Sequence, residues 1–281
     1  MRTSHTISFA DGEQLEFGGR TRVMGILNMT PDSFYDGGRF LEPEAALEAS
    51  RRMVEEGAEL LDVGGESTRP GAAPVPAKEE IRRVLPLVEA IKAKLGVRVS
   101  VDTTKAQVAA RAIEAGADMI NDVSALADPD MLPLLADTRV PVVVMHMRGS
   151  PRTMQEDTHY EDLVSEVTGF LRKNVERAVA AGLCGDKIIV DPGIGFGKSP
   201  VGNLLILREL ETLRSIGRPI LVGASRKSFI GAVLDLPVTE RLEASLAIVA
   251  LATWKGAHVI RVHDVAETLR VVRMIDAIHH S

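Results

Sequence analysis

The sequence contains only one cysteine, Cys184, among 281 residues. A single cysteine excludes an intrachain disulfide and a cysteine-based zinc site, and such usage is typical of a reducing compartment. An excess of basic residues is also lacking, since the formal net charge is −6. A nucleic-acid partner normally requires a basic face. We therefore expect a cytoplasmic protein with no nucleic-acid partner, in which any anion site is local.

Long hydrophobic segments are absent as well. The longest apolar stretch, residues 244–254, is much shorter than the roughly 18 residues that a membrane span needs. Residues 1–13 are polar and lack the apolar core of a secretory signal. We expect neither export nor membrane association.

What the sequence does contain is a regular alternation of short apolar runs with helical patterns. The runs are rich in Val and Ile and lie at residues 23–27, 60–63, 97–101, 119–120, 140–145, 187–190, 220–222 and 258–262. Continuous apolar runs are typical of parallel strands that are covered on both faces. Eight such units without an internal linker predict an α/β fold, a (β/α)8 TIM barrel, as a single domain over residues 1–281.

The main alternative is an open, doubly wound sheet. Its dinucleotide-binding form carries Gly-x-Gly-x-x-Gly after the first strand, but here Leu27 is followed by Asn-Met-Thr-Pro-Asp. Ahead of the first run, residues 7–17 have an Asp-Gly pair at Asp11 and Gly12, which predicts a β-hairpin. We expect this N-terminal hairpin to cap the bottom of the barrel.

Apolar residues spaced three and four apart predict the helices. They lie at residues 43–56, 79–94, 105–115, 163–181, 204–216, 240–255 and 266–279. Thr104 and Gln107 form a capping-box pattern at the start of the third helix.

Polar residues follow seven of the eight predicted strands, where TIM barrels place their catalytic groups. They are Asn28; Glu66, Thr68 and Arg69; Asp102; Asn121; Asp191; Ser225, Arg226, Lys227 and Ser228; and Arg261 with His263. Any single one is equally well explained as a helix cap or a turn former. As a set, the carboxylates and carboxamides suit a planar heterocycle with an amidine-like edge. The cations Arg69, Lys227, Arg261 and His263 suit a phosphate, whereas Arg226 is more simply explained as a solvated surface residue.

The segment from Asp191 to Ser199 contains three glycines and ends in Gly-Lys-Ser. It does not fit a Walker phosphate loop, because Pro192 stands where the first glycine is required. Its glycines are expected to turn the backbone beside a ligand. Two further loops, residues 28–40 and 64–76, are long enough to close over a substrate.

Signals for a metal cluster or a nucleophile are weak. His146 ends the fifth strand alone and is best explained as a satisfied core histidine or as one that supports a site residue. Cys184 lies before the sixth strand, away from the catalytic end. Ser225 lacks a Gly-x-Ser-x-Gly elbow, because Lys227 occupies the last position. Magnesium carried by a diphosphate needs only one or two protein oxygens, so the sequence is compatible with it.

Taken together in their order, the motifs resemble those of dihydropteroate synthases over about nine tenths of the chain. The motifs are Gly25-Ile-Leu-Asn-Met-Thr-Pro-Asp-Ser-Phe34, Gly64-Gly-Glu-Ser-Thr-Arg-Pro-Gly71, Val101-Asp-Thr, Ile120-Asn-Asp, Met145-His-Met, Asp191-Pro-Gly-Ile-Gly-Phe-Gly-Lys198, Ser225-Arg-Lys-Ser228 and Arg261-Val-His-Asp264. Two small departures, Tyr35 and Thr104, remove no functional group. The resemblance implies a transferase of folate biosynthesis that joins a pterin diphosphate to 4-aminobenzoate by a dissociative substitution, with Mg2+ as cofactor, and acts as a homodimer.

The resemblance also implies roles for individual residues. Asp102, Asn121, Asp191, Lys227 and Arg261 would bind the pterin, and Asp102, Asp191, Lys227 and Arg261 would be catalytic. Asn28, Arg261 and His263 would hold the diphosphate, with Asn28 as a magnesium ligand. Phe34, Thr68, Arg69, Pro70 and Ser228 would form the 4-aminobenzoate pocket, which Lys227 also borders.

Two other functions fit part of the pattern. A pterin-dependent methyltransferase would keep the carboxylate and Asn site, but has no need of Thr68-Arg69-Pro70 or of Ser225-Arg-Lys-Ser228. A non-catalytic pterin-binding paralogue would keep Asn121 and Asp191 and would tolerate loss of the loop groups. The intact loops favour the synthase.

Overall fold

The computed structural model describes residues 3–30 and 43–281. Most of the first predicted loop, with Phe34 and Tyr35, lies outside the described residues. The described strands are β1 His5–Ser8, β2 Gln14–Phe17, β3 Arg22–Asn28, β4 Leu60–Gly64, β5 Arg98–Asp102, β6 Met119–Asp122, β7 Val142–Met145, β8 Ile188–Asp191, β9 Leu221–Val222 and β10 Val259–Val262.

Strands β3 to β10 form the predicted barrel. All their ladders are parallel, in the order β8-β7-β6-β5-β4-β3-β10-β9, and the barrel closes through a parallel bridge between Val190 and Ile220. The outward side chains, such as Val63, Val101 and Val144, join the large apolar cluster beneath the helices. The (β/α)8 prediction is confirmed.

The hairpin β1–β2 closes the amino-terminal end of the barrel, as predicted. Its strands pair antiparallel. Ile7, Phe9 and Phe17 pack against inward side chains of the barrel strands, which are Met24, Leu60, Met119, Val143, Ile189, Leu221 and Val259. Burying each large apolar side chain contributes roughly 1.5–3 kcal/mol. The lower half of the barrel is therefore a packed apolar core, which leaves the opposite end for a site.

The helices are α1 Pro43–Glu55, α2 Ala77–Lys94, α3 Ala106–Glu114, α4 Met131–Thr138, α5 Leu163–Ala180, α6 Pro200–Arg208, α7 Ser228–Leu234, α8 Leu242–Trp254 and α9 Val265–His280. The short helices α4 and α7 were not predicted. None of the helices within residues 3–30 and 43–281 has the length and apolarity needed to cross a membrane.

Two helix predictions need correction. Residues 204–216 are not one helix: α6 begins after Ser199, whose Oγ accepts from the amide of Gly202 at 3.0 Å. It ends at Arg208, and Leu210–Ile216 is a 3-10 helix that buries Leu210 and Leu213, three residues apart, as that geometry favours.

The prediction of a capping box at Thr104 and Gln107 is also wrong. Lys105 is the N-cap residue of α3, and its side chain forms no cap bond with the described helix. The amide of Ala106 donates instead to Asp128 Oδ2 at 2.8 Å. A carboxylate from the loop after β6 thus replaces the local cap, which a sequence pattern cannot reveal.

Candidate active site

The polar residues of the site come from the same strands that build the apolar core. Successive side chains of a strand point to opposite faces, so residues two apart share a face. Leu60, Met119, Ile189 and Val259 point into the apolar end, and two residues further along these strands come Asp62, Asn121, Asp191 and Arg261. The barrel interior therefore changes from apolar to polar or charged within two residues along these strands.

A buried network joins three of these inward residues to Asp102, the last residue of β5. Asp62 is fully buried, and its Oδ2 accepts from Arg261 Nε at 2.5 Å and from Asn121 Nδ2 at 3.0 Å. The Nη2 atom of Arg261 donates to Asp102 Oδ2 at 2.8 Å. The guanidinium is thus fixed across the barrel by two carboxylates.

Asp62 was not predicted as a site residue, because it lies inside β4 rather than at its end. A carboxylate inside an otherwise apolar strand nevertheless indicates a buried ion pair, because a charged group is buried only when it is paired. Its Oδ2 orients Arg261 and Asn121 together, so Asp62 supports the site without lining its cavity.

The Asn121 amide is half-paired in this network. Its Nδ2 is bound to Asp62, but its buried Oδ1 has no hydrogen-bond partner among the described residues. A buried acceptor without a donor is costly and is uncommon in folded proteins. Oδ1 is therefore available to a donor from a ligand.

The two carboxylates at this end have raised pKa values. Burial, reinforced by the charge of Asp62, raises the pKa of Asp102 although Arg261 opposes the shift. Burial raises the pKa of Asp191 to about 6, against the bond from the amide of Gly193 to Asp191 Oδ1 at 2.7 Å. Burial thus disfavours the anionic form of both groups despite their existing partners, and a further positively charged or hydrogen-bond-donating group would favour it.

Lys227 lines the same cavity as Asp191, and its pKa is lowered. Burial and the charge of Arg261 lower the pKa of Lys227 to about 8. Its Nζ lies 4.0 Å from the centre of the Phe196 ring, a cation–π contact. Phe196 was not predicted as a site residue.

These side chains line one small cavity. Its polar lining consists of Thr68, Asp102, Asn121, Asp191, Lys227 and Arg261, and its apolar lining includes Val123, Met145, Ile194 and Phe196. Predicted residues from strands far apart in sequence therefore meet at one place. A small cavity with an apolar wall and a few convergent polar groups is typical of a site for a flat, polar small molecule.

A second group of predicted residues lies at the rim of the cavity. His263 is exposed; its Nδ1 lies 3.1 Å from Ser225 Oγ and its Nε2 lies 3.5 Å from Asn28 Nδ2. Asn28 ends β3 and is half-buried. This rim places a carboxamide and an imidazole beside the guanidinium of Arg261.

The predicted loop residues are less closely assembled. Thr68 lines the cavity, but Arg69, Pro70 and Ser228 are exposed and do not line it. Phe34 lies outside the described residues. The loop after β4 therefore brings one of its three predicted groups into the cavity.

Three residues that the sequence did not assign to the site, Arg226, His146 and Cys184, either bind other side chains or lie away from the cavity. Arg226 forms two bonds of 2.9 Å with the carboxylate of Asp264. His146 is buried, and its Nδ1 lies 2.9 Å from Lys198 Nζ. Cys184 is exposed before β8. In residues 3–30 and 43–281 no group of three His, Cys, Asp or Glu side chains could hold a metal ion.

The fold and this cavity define a class of protein, a TIM-barrel enzyme with its site at the carboxyl ends of the strands. Comparison with known proteins specifies the class. Residues 24–263 match the family described as pterin binding enzyme. The dihydropteroate synthase of Escherichia coli is 45% identical over 269 residues, which cover 96% of this chain and 95% of that protein.

Solved structures agree with this match. The Xanthomonas albilineans dihydropteroate synthase with 4-aminobenzoic acid has a TM-score of 0.92 and 45% identity, covering 99% of this chain and 100% of that one. The same enzyme in complex with 7,8-dihydropteroate has a TM-score of 0.87 and 43% identity, covering 97% and 98%. The chain belongs to the dihydropteroate synthase family of pterin-binding enzymes.

Proposed function

We propose that this protein condenses 6-hydroxymethyl-7,8-dihydropterin diphosphate with 4-aminobenzoate to give 7,8-dihydropteroate and pyrophosphate. The observation that carries the proposal is the cavity in which Asp102, Asn121, Asp191 and Lys227 converge. The similar X. albilineans enzyme with 4-aminobenzoic acid and with 7,8-dihydropteroate supports the choice of substrates.

The pterin would lie in the cavity that these residues line. The carboxylates of Asp102 and Asp191 and the available Oδ1 of Asn121 accept from the N–H groups of its amidine-like edge. The ammonium of Lys227 donates to the ring carbonyl. Arg261, held by two carboxylates, lies across the face of the ring.

The diphosphate would lie at the rim, where Arg261, His263 and Asn28 meet. Their donors suit phosphate oxygens. The residues present also fit Mg2+, because Asn28 offers a carboxamide oxygen and magnesium bound to a diphosphate takes only one or two protein oxygens. When bound there, magnesium would neutralise charge on the diphosphate, and Asn28 would be its protein ligand.

The reaction would be a dissociative substitution at the pterin methylene. The bond from the methylene carbon to the diphosphate oxygen breaks, and pyrophosphate leaves with the electron pair. The arylamine nitrogen then forms the new carbon–nitrogen bond and loses a proton. Asp102 and Asp191 stabilise the positive charge that develops on the pterin in the transition state.

The 4-aminobenzoate would bind beside the loop after β4. Thr68 reaches the cavity, and Arg69, Pro70 and Ser228 are exposed at its edge, where closure of the loop would bring them to the substrate. Phe34 would complete this pocket. Loop closure of this kind also excludes water from the departing diphosphate.

We further propose a cytoplasmic homodimer. Exposed apolar side chains on α6, on α7 and at the end of α8 support a self-contact. They are Val201, Leu204, Val233, Leu234, Leu251 and Trp254. Such side chains, when contiguous, commonly mark a protein interface.

The test is a direct assay with purified protein, magnesium, the pterin diphosphate and 4-aminobenzoate. We expect dihydropteroate and pyrophosphate in equal amounts. A folded preparation that binds the pterin but forms neither product would be a non-catalytic paralogue, and the proposed activity would be wrong.

A further inference from the structure

Lys198 is a buried lysine next to the site that the proposed reaction does not use. It is 2% exposed and is among the largest fully buried side chains of the described chain. Its Nζ lies 2.9 Å from each of three acceptors, the carbonyl oxygens of Gly193 and Phe196 and the Nδ1 of His146. A fourth acceptor, the carbonyl oxygen of His146, is at 3.5 Å.

The two bound carbonyls belong to the turn that follows β8. The amide of Gly193 fixes Asp191 Oδ1 at 2.7 Å, and the ring of Phe196 lies under Lys227 Nζ at 4.0 Å. The Lys198 ammonium therefore binds the carbonyls of two residues, Gly193 and Phe196. The amide of Gly193 contacts Asp191, and the ring of Phe196 contacts Lys227. Asp191 and Lys227 are the two charged groups proposed to bind the N–H edge and the carbonyl of the pterin.

The turn has a conformation that needs external support. Gly193 has φ +67°, and a Cβ at this position would overlap the carbonyl oxygen of His146. The carbonyls of Gly195 and Gly197 accept from side chains as well, Gln155 Nε2 at 3.2 Å and Tyr160 OH at 2.7 Å. Among these donors Lys198 is the buried one, and it binds the turn at two residues.

Three near acceptors match the three N–H donors of a charged ammonium, whereas a neutral amine has two donors. Burial lowers the pKa of Lys198 to about 7, although Asp191 favours its charged form. An apolar side chain of similar length would fill the space without this desolvation penalty. The ammonium thus has a role beyond filling space.

We propose that Lys198, with His146 as its acceptor, is a positioning residue for the pterin half of the site. It sets the distance between Asp191 and Lys227 through the turn that carries Gly193 and Phe196, and touches no substrate itself. The inference rests on the proposed function, because it assigns the pterin to Asp191 and Lys227.

The test compares Lys198→Met with a matched control, Lys187→Met. Lys187 is also a buried lysine that donates to backbone carbonyls, those of Ser8 and Phe9, but it lies under the hairpin at the opposite end of the barrel. For each variant we would measure the melting temperature, the Kd of the pterin diphosphate by calorimetry, and the Michaelis constant for the arylamine substrate, 4-aminobenzoate.

Lys198→Met is expected to raise the Kd of the pterin diphosphate about ten- to a hundredfold, the range seen when a supporting partner of a binding group is removed. The Michaelis constant for the arylamine should change less than about threefold, since Lys227 only borders its pocket and Thr68, Arg69 and Pro70 lie on the loop after β4. Lys187→Met should lower the melting temperature without changing the pterin Kd. An unchanged pterin Kd in folded Lys198→Met, or equal losses for both substrates, would overturn the inference.

His146→Phe provides a second test should Lys198→Met fail to fold. Phenylalanine keeps the ring that packs edge-on against Phe170 at 4.8 Å but removes the acceptor Nδ1. A smaller increase in pterin Kd, about three- to tenfold, is expected, and a wild-type Kd would refute the role of the pair. If the wild-type protein itself binds no pterin, the proposed function fails; if it is active and both variants bind normally, only this inference fails.

Discussion

Asp62 allows the sharpest test of the site, because its charge can be removed without changing its shape. Both donors, Arg261 Nε and Asn121 Nδ2, bind the same oxygen, Oδ2, while Oδ1 has no partner within the described parts of the chain. In Asp62→Asn the carboxamide oxygen can take the place of Oδ2 and accept both bonds. The variant therefore keeps both contacts, loses the negative charge and places an NH2 group where Oδ1 has no partner.

The expected loss of kcat/KM in Asp62→Asn follows from the two hydrogen bonds to Oδ2. A hydrogen bond to a charged group contributes about 1.5–3 kcal/mol and a neutral one about 0.5–1.5 kcal/mol. Two weakened bonds thus cost about 2 kcal/mol in the organisation of Arg261 and Asn121. Since about 1.4 kcal/mol is a factor of ten, kcat/KM for the pterin diphosphate should fall about thirtyfold. Asp62→Ala leaves both donors unpaired, and we expect a loss of about a hundredfold or more.

The matched control is Ser100→Ala. Ser100 is the register partner of Asp62 on β5 and is equally buried, but its Oγ has no hydrogen-bond partner in residues 3–30 and 43–281. We expect nearly wild-type kinetics. The assay is product formation at varied pterin diphosphate, with melting temperatures to correct for unfolded protein. Wild-type kcat/KM in folded Asp62→Ala, or losses in Ser100→Ala as large as in Asp62→Asn, would refute the reasoning.

Two other predictions concern the catalytic carboxylates. Asp102→Asn should fold normally but lower kcat about a hundredfold, because removing one well-placed electrostatic partner costs on the order of 3 kcal/mol in the barrier; steady-state turnover checks this, and a wild-type kcat would show that the charge is not needed. The pH dependence of kcat/KM should be bell-shaped. The pKa of Asp191 is raised to about 6, so its active anion is lost as the pH falls through 6. The pKa of Lys227 is lowered to about 8, so its active cation is lost as the pH rises through 8. Assays between about pH 5 and pH 9 test this. In Asp191→Asn the acidic limb should retain only the part that Asp102, whose pKa is also raised, contributes; a flat wild-type profile would contradict both assignments.

The barrel itself could be read from the sequence, because its periodicity is local information. The Val- and Ile-rich runs mark β3 to β10, and parallel strands with helices between them have few ways to pack. The polar residues after the strands were therefore expected to meet at one end, as Asp102, Asn121, Asp191, Lys227 and Arg261 do. Helix ends were less predictable, since α3 is capped by Asp128 rather than by Thr104.

What the tertiary structure decided is how these groups are held. Asp62 binds Arg261, 199 positions away in the chain, and Lys198 binds His146, 52 positions away. Neither pairing has a spacing that a sequence pattern records, because both depend on which strands lie near each other in the folded sheet. The sequence by itself determined the barrel and the kind of chemical groups at its mouth. Burial in the closed barrel decided their pKa values and which of them support others, since desolvation and pairing exist only once the chain has folded.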